Sequence, residues 1–356
     1  MLLLTYAGHL ADKVSVRRIF LVGEIAIGIA LAGCAFTRVP WQMMVLLLVA
    51  GFGNAVAGPC SAKAVVTWFP TNGRATAMGI KQCAIPFAGL LAGAIAPSLA
   101  LQFGWRTAFV IMGAMIAFLA IVGFALYRDA IPQAPRRTTK PTISSNGPGS
   151  ENKKTLKAVF NREIVLLSVG TAFLMGVQYA GSSYLVMYLG DILKASTRVS
   201  PLILAGLLLS VAQAGGMIGR VGWGVVSDHL FGGRRKGTLI GLNVVAFAVI
   251  LGIAFFTPHS GVFVIGVLVF LFGLTAIGWT GLHLSLVSEI AGAAAAGAAT
   301  GFTLAISFFG MMLVPPIFGY LVDVTHGYLW GWLMLAALTF VGVIFLAAVR
   351  ESQHKQ

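Results

Sequence analysis

The sequence predicts an all-α integral membrane protein built as two related helical halves. Three observations carry this expectation. Charged residues make up 10% of the chain and hydrophobic residues 58%, whereas a soluble domain carries about 25% charged residues. Apolar runs of 18 or more residues recur along the whole length, each long enough to cross a bilayer of about 30 Å as a helix. A short glycine-acid-basic motif occurs once near the start and again in the second half, between apolar runs each time. The runs are continuous rather than alternating, so they read as helices and not as barrel strands.

In chain order, residues 1–7 are apolar, too short for a leader, and read as the tail of one helix. Complete spans are expected at 18–36, 41–66, 74–100, 105–127, 163–190, 200–226, 237–256, 261–288, 297–322 and 329–349. Between the fourth and fifth of these lies a polar segment, 128–162, with four prolines and eight basic against two acidic residues. Such a composition cannot bury a core. It separates a first half, 1–127, from a second half, 163–350, with 351–356 as a tail. An even number of complete spans puts both ends on one side of the membrane.

Net charge is +14, from 24 basic and 10 acidic residues. On a soluble chain that balance suggests nucleic acid. Here the cations lie in short loops, 17 on the side of the linker and both termini against 4 on the other. That asymmetry follows the positive-inside rule and places both termini and the linker in the cytoplasm, with a multi-pass protein in the cell inner membrane. No nucleic-acid partner, cofactor or metal is expected. Cys34, Cys60 and Cys83 all lie in apolar stretches without ligand spacing and read as packing residues. An integral-membrane enzyme is disfavoured, because no paired carboxylates or nucleophile-base arrangement face one surface.

The repeated motif reads Gly8-His9-Leu10-Ala11-Asp12-Lys13 with Arg17-Arg18, and then Gly224-Val225-Val226-Ser227-Asp228-His229 with Arg234-Arg235. A second echo pairs Gly73-Arg74-Ala75-Thr76 with Gly297-Ala298-Ala299-Thr300. These residues resemble the major facilitator superfamily, whose loop between helices 2 and 3 carries a glycine-acid-basic signature of this spacing. Gly8, Asp12, Lys13, Arg17 and Arg18 match it, while Ser15 stands where a second glycine is usual. Trp68-Phe69-Pro70 and Gly104-Trp105-Arg106 also look like phrases of that family. The resemblance covers essentially the whole chain. It implies two pseudo-symmetric bundles, with about 10 complete helices here plus the tail of helix 2, and helix 1 missing.

What the resemblance implies is a secondary transporter working by alternating access on a small organic anion, with a coupled proton or an exchanged anion, acting as a monomer in the bilayer. Leu47 stands where many relatives carry a proton-linked arginine, and helix 5 lacks the drug-antiporter signature. A drug or metabolite exporter is therefore the alternative, with a truncated non-transporting remnant or sensor beside it. The phrase Gly79-Ile80-Lys81-Gln82 looks like the branch that moves carboxylates or cyanate.

Individual residues carry further expectations. Asp12 and Asp228 sit at cytoplasmic helix ends, where a carboxylate can accept from free backbone N–H groups of a neighbouring helix. By resemblance they form a gate that must break for inward opening. Lys81 lies seven residues past Arg74, about 10 Å deeper. An intramembrane cation is costly and marks function, so Lys81 is the leading substrate contact. Asn54, Gln178, Tyr179, Gln213, Trp279 and His283 are further candidates for the site, with Ser307 near the midplane beside them. Glu24 is the acid placed well inside a span and is the proton-relay candidate. Lys63 reads as snorkelling to a nearby helix end, and Arg220, Arg17, Arg18, Arg234 and Arg235 as structural or topological residues.

Overall fold

A computed structural model describes residues 16–68, 74–128, 159–194, 200–232, 234–292 and 295–350. Helices account for nearly all of them, and no strand occurs among the described residues. In order they are α1 (Val16–Cys34), α2 (Pro40–Trp68), α3 (Arg74–Leu126), α4 (Arg162–Leu193), α5 (Pro201–Leu230), α6 (Arg235–Ala254), α7 (Val262–Phe272), α8 (Thr280–Ala291), α9 (Ala296–Thr325) and α10 (Leu329–Ala348). Their ends fall within a few residues of the predicted spans. Among the described residues, seven helices are long and apolar enough to cross a membrane.

Two of these helices are broken, each for a local reason. In α3, Gly104 takes φ 80° and ψ 154°, a left-handed backbone value that costs glycine nothing. The break separates an arm of 74–103 from one of 105–126, as the sequence predicts. The apolar run 261–288, expected to be one helix, is interrupted by a π-helical turn at Gly273–Ile277 between α7 and α8.

The contacts divide the chain into two compact units, one holding Met1–Lys81 and Ile95–Thr142, the other Gln82–Ala94 and Ile143–Gln356. In the first unit, small residues bring backbones together. A Cβ on Gly53 would stand 2.6 Å from the Gly23 carbonyl, and one on Gly28 would stand 2.7 Å from that of Gly113. Two arginines fasten the ends of α1 to the second arm of α3. Arg17 Nε donates to the Phe124 carbonyl at 2.6 Å with its guanidinium 3.9 Å from the ring centre. Arg106 donates to the Ala35 and Thr37 carbonyls at 3.0 and 3.3 Å, which satisfies acceptors left free past the end of a helix.

In the second unit α4 is the central element. It meets α9 where Gly310 packs on the Ala172 carbonyl, and α10 where Gly170 faces Gly342. Interhelical hydroxyl bonds join Ser168 to Thr303 at 3.0 Å and Thr171 to Ser307 at 3.1 Å, so Ser307 serves helix packing. Lipid is as apolar as the helix surfaces, so association rests on close packing and such bonds rather than on exclusion of water. The core divides into a cluster around Leu185, Phe272, Phe318 and Trp332, and another around Leu167, Trp279, Leu286 and Leu346. At the C-terminal end of α4, the Tyr328 hydroxyl donates to Asp191 Oδ2 at 3.0 Å, and Asp191 also accepts from Lys194.

Two outcomes follow. Gly310→Val forces a side chain into the α4 backbone and should lower stability by about 1–3 kcal/mol, while Gly297→Ala, which faces open space, should not; thermal unfolding in detergent reads both. Burial, with the Asp191 bond second, pushes the Tyr328 hydroxyl up to about 12. Its contribution to stability is therefore complete below the ordinary tyrosine value of about 10 and is lost as pH rises through the folded-state value. Phenolate absorbance should titrate late in the native protein and earlier in Asp191→Asn.

Candidate functional site

One face of α5 organises the polar centre of the second unit. Gly206, Ser210, Gln213, Met217 and Arg220 recur at spacings of three and four, so they form one stripe. Opposite lies the segment Gln82–Ala94 of α3. A Cβ on Gly93 would stand 2.7 Å from the Gly206 carbonyl, and one on Gly89 2.8 Å from the Gln213 side chain. The Ser210 hydroxyl donates to the Leu90 carbonyl at 2.7 Å. Cys83 Sγ lies 4.0 Å from the Met217 carbonyl. Glycines at 89 and 93 thus let the helices approach closely enough for these polar groups to meet.

The stripe ends at Arg220, 9% exposed, whose Nη1 donates to the Gln82 carbonyl at 2.7 Å. That partner has a covalent cause. Pro86, four residues after Gln82, has no N–H, so the Gln82 carbonyl loses its normal helical donor. An unsatisfied carbonyl in the hydrocarbon region costs several kcal/mol, and the guanidinium supplies the missing donor. One turn on, Trp223 does the same for the other break. In the π-helical turn, Gly278 N–H donates to Gly273 at 3.0 Å rather than to Leu274. The Leu274 carbonyl instead accepts from the Trp223 indole at 2.7 Å.

Several buried polar atoms of the second unit have no hydrogen-bond partner: Gln178 Oε1, Arg220 Nε, Trp279 Nε1 and both ring nitrogens of His283. Gln178 is 5% exposed, and Trp279 and His283 1% each. The Trp279 and His283 rings are 5.3 Å apart between centres, placed by the turn that opens α8. Tyr179, half-buried on α4, lies within electrostatic reach of Arg220. Unpaired polar groups inside an apolar helical bundle are candidates for a ligand site. No group of three or more potential metal ligands is present among the described residues.

The sequence-predicted residues distribute as follows. Gln178, Tyr179, Gln213, Trp279 and His283 belong to the second unit; Gln213 meets Gly89, and Trp279 meets His283. In the first unit, Lys81 is half-buried on α3, Glu24 half-buried on α1, and Asn54 exposed on α2. Gly8, Asp12 and Lys13 lie outside the described residues, as does the side chain of Lys63. Arg17 holds Phe124, and Arg18 is exposed. In the second copy of the motif, Arg235 bridges Asp228, at 3.2 Å, and Glu289; Arg234 caps α6, and Gly224 has open space around it. Sequence reasoning placed Arg220 among structural residues and missed that its Nε stays buried without a partner. The available signal was Pro86 four residues after a glutamine, opposite an in-span arginine.

A sequence profile of the Major Facilitator Superfamily matches residues 1–315. The chain belongs to this superfamily. As a member it is a multi-pass membrane transporter, in agreement with its apolar helices. Among curated relatives, a probable sulfoacetate transporter (SauU) of Cupriavidus necator is 26% identical, over 95% of this chain and 79% of the relative. The hexuronate transporter of Bacillus subtilis is 24% identical over 87% and 73%. The membrane sensor protein UhpC of Escherichia coli is 25% identical over 90% and 74%. Among solved structures, a bacterial homolog of the human lysosomal transporter Spinster, inward-facing and unoccupied, superposes with a TM-score of 0.72 at 15% identity, covering 99% of this chain and 88% of that one. At that identity the likeness shows the fold.

The carbonyl argument is tested by a double-mutant cycle. Pro86→Ala restores the N–H that Gln82 lacks, so Arg220→Gln should destabilise the Pro86→Ala protein less than the parent. The expected coupling is about 0.5–3 kcal/mol, read by thermal unfolding.

Proposed function

We propose that this transporter moves a small organic anion of the carboxylate or sulfonate class by alternating access between the halves 1–127 and 163–350. The observation that carries the reading is the charge inside the spans. Lys63, Lys81 and Arg220 lie there against Glu24 as the acid placed well inside. Intramembrane ionisable groups are costly and are retained where substrate or ions pass. Relatives named for sulfoacetate, hexuronate, L-galactonate and galactarate or D-glucarate support the same class. In this reading the protein lies as a monomer in the cell inner membrane with both termini in the cytoplasm. Lys81 contacts the substrate from the first half. Asn54, Gln178, Tyr179, Gln213, Trp279 and His283 contribute polar and aromatic contacts, Glu24 relays a coupled proton, and Asp12 and Asp228 hold the cytoplasmic gate. A second reading, a membrane sensor for the same kind of anion, is favoured by the UhpC likeness.

Uptake of labelled sulfoacetate and D-galacturonate into proteoliposomes tests the proposal. Uptake should be competed by small carboxylates and not by neutral sugars. Lys81→Ala should lower it about tenfold at subsaturating anion, the effect of losing one hydrogen bond to a charged group. Glu24→Gln should retain exchange of one anion for another and lose accumulation driven by a proton gradient. Binding without uptake in the parent protein would favour the sensor.

A further inference from the structure

The structure assigns Arg220 as the anion-holding residue of the second half, taking the carboxylate or sulfonate of the substrate on the Nε edge of its guanidinium. This rests on the organic-anion reading above. Four observations support it. Arg220 lies ten residues inside the end of α5 and is 9% exposed. A charge so placed is expensive unless paired, yet no described carboxylate pairs with it: Asp228 and Glu289 are taken by Arg235, Asp191 by Lys194, and Glu163 by Arg162, and the other two, Glu24 on α1 and the exposed Asp323 on α9, make no ion pair with it. Its Nη1 is fixed on the Gln82 carbonyl, and its Nε is buried without a partner. The groups around it are polar and carry no negative charge of their own: Gln82, Cys83, Gln213 one face-repeat away, and the Tyr179 hydroxyl.

A structural role alone would need one N–H. A guanidinium has five donors in a rigid fork that matches carboxylate geometry, and here the fork is pre-oriented by the bond that mends the proline break. An arriving anion would complete the unpaired donor edge and neutralise the buried charge. A neutral sugar would leave both unsatisfied, so the residue also sets specificity for charge.

Cys83, half-buried and within electrostatic reach of Arg220, provides a readout independent of transport. With Cys34 and Cys60 replaced by serine, Cys83 is the sole thiol. The full-length chain in detergent would be alkylated with N-ethylmaleimide across a series of sulfoacetate, D-galacturonate and D-galactose concentrations. We expect both anions to protect Cys83 and galactose not to. In Arg220→Gln the half-protecting anion concentration should rise about thirtyfold or more, as for removal of one partner of a desolvated charge pair. Arg220→Lys keeps the charge and loses the fork. It should fold even where the glutamine variant does not, and still bind at least about tenfold more weakly.

Equal protection of Arg220→Gln or Arg220→Lys and the parent would overturn the assignment while leaving the organic-anion reading standing. Absence of protection by either anion in the parent would overturn both.

Discussion

Every backbone carbonyl inside the hydrocarbon layer must find a donor within the protein, and this requirement governs how the second unit is assembled. Regular helix meets it automatically. Helical hydrogen bonds are lost at several points, among them Pro97, Gly104, Pro315 and Pro316, but two of the losses lie against α5, at Pro86 and at the π-helical turn Gly273–Ile277, and each frees a carbonyl. Both are mended from α5, by Arg220 and Trp223, three residues apart on one helix. The two breaks therefore fix the position of α5 against the segment Gln82–Ala94 and against the turn before α8. The same repairs place a guanidinium and an indole inside an apolar bundle. The chemistry of the candidate site is thus a by-product of satisfying the backbone.

Close approach makes these repairs possible. Glycines at 89, 93, 215, 216 and 219 face backbone or short side chains on the neighbouring helix, and a larger residue would hold the donors out of reach. In the first unit the same device operates at Gly23, Gly28, Gly53 and Gly113, with Arg17 and Arg106 fastening the two ends. Apolar side chains left on the outside, such as Phe118, Phe263 and Phe309, are those a lipid solvent accepts. Packing of small residues and a few interhelical bonds replaces the hydrophobic collapse that holds a water-soluble core together.

Much of the helix pattern was legible from composition and run length, including the break at Gly104, which lies between two apolar runs. The π-helical turn was not, because Gly273 to Ile277 is as apolar as the helices on either side. The candidate site was legible in part. Gln178, Tyr179, Gln213, Trp279 and His283 stand out as polar or aromatic residues in apolar runs. Arg220 stands out as well, but its place just before the motif invited a structural reading. Its partner is a backbone carbonyl 138 residues away in sequence, which no local pattern announces.

The sequence by itself determined that the chain is helical and membrane-spanning and that it carries a repeated loop motif, because run length, charge distribution and motif spacing are properties of contiguous residues in a known solvent. Only the tertiary structure decided which polar groups are consumed in holding helices together and which are left over. Ser307 is spent on Thr171 and Thr303, Trp223 on Leu274, and Asp228 on Arg235. Arg220 is spent on one carbonyl with Nε in reserve. That distinction depends on which atoms meet across helix faces at about 3 Å, and helices distant in sequence meet only after folding.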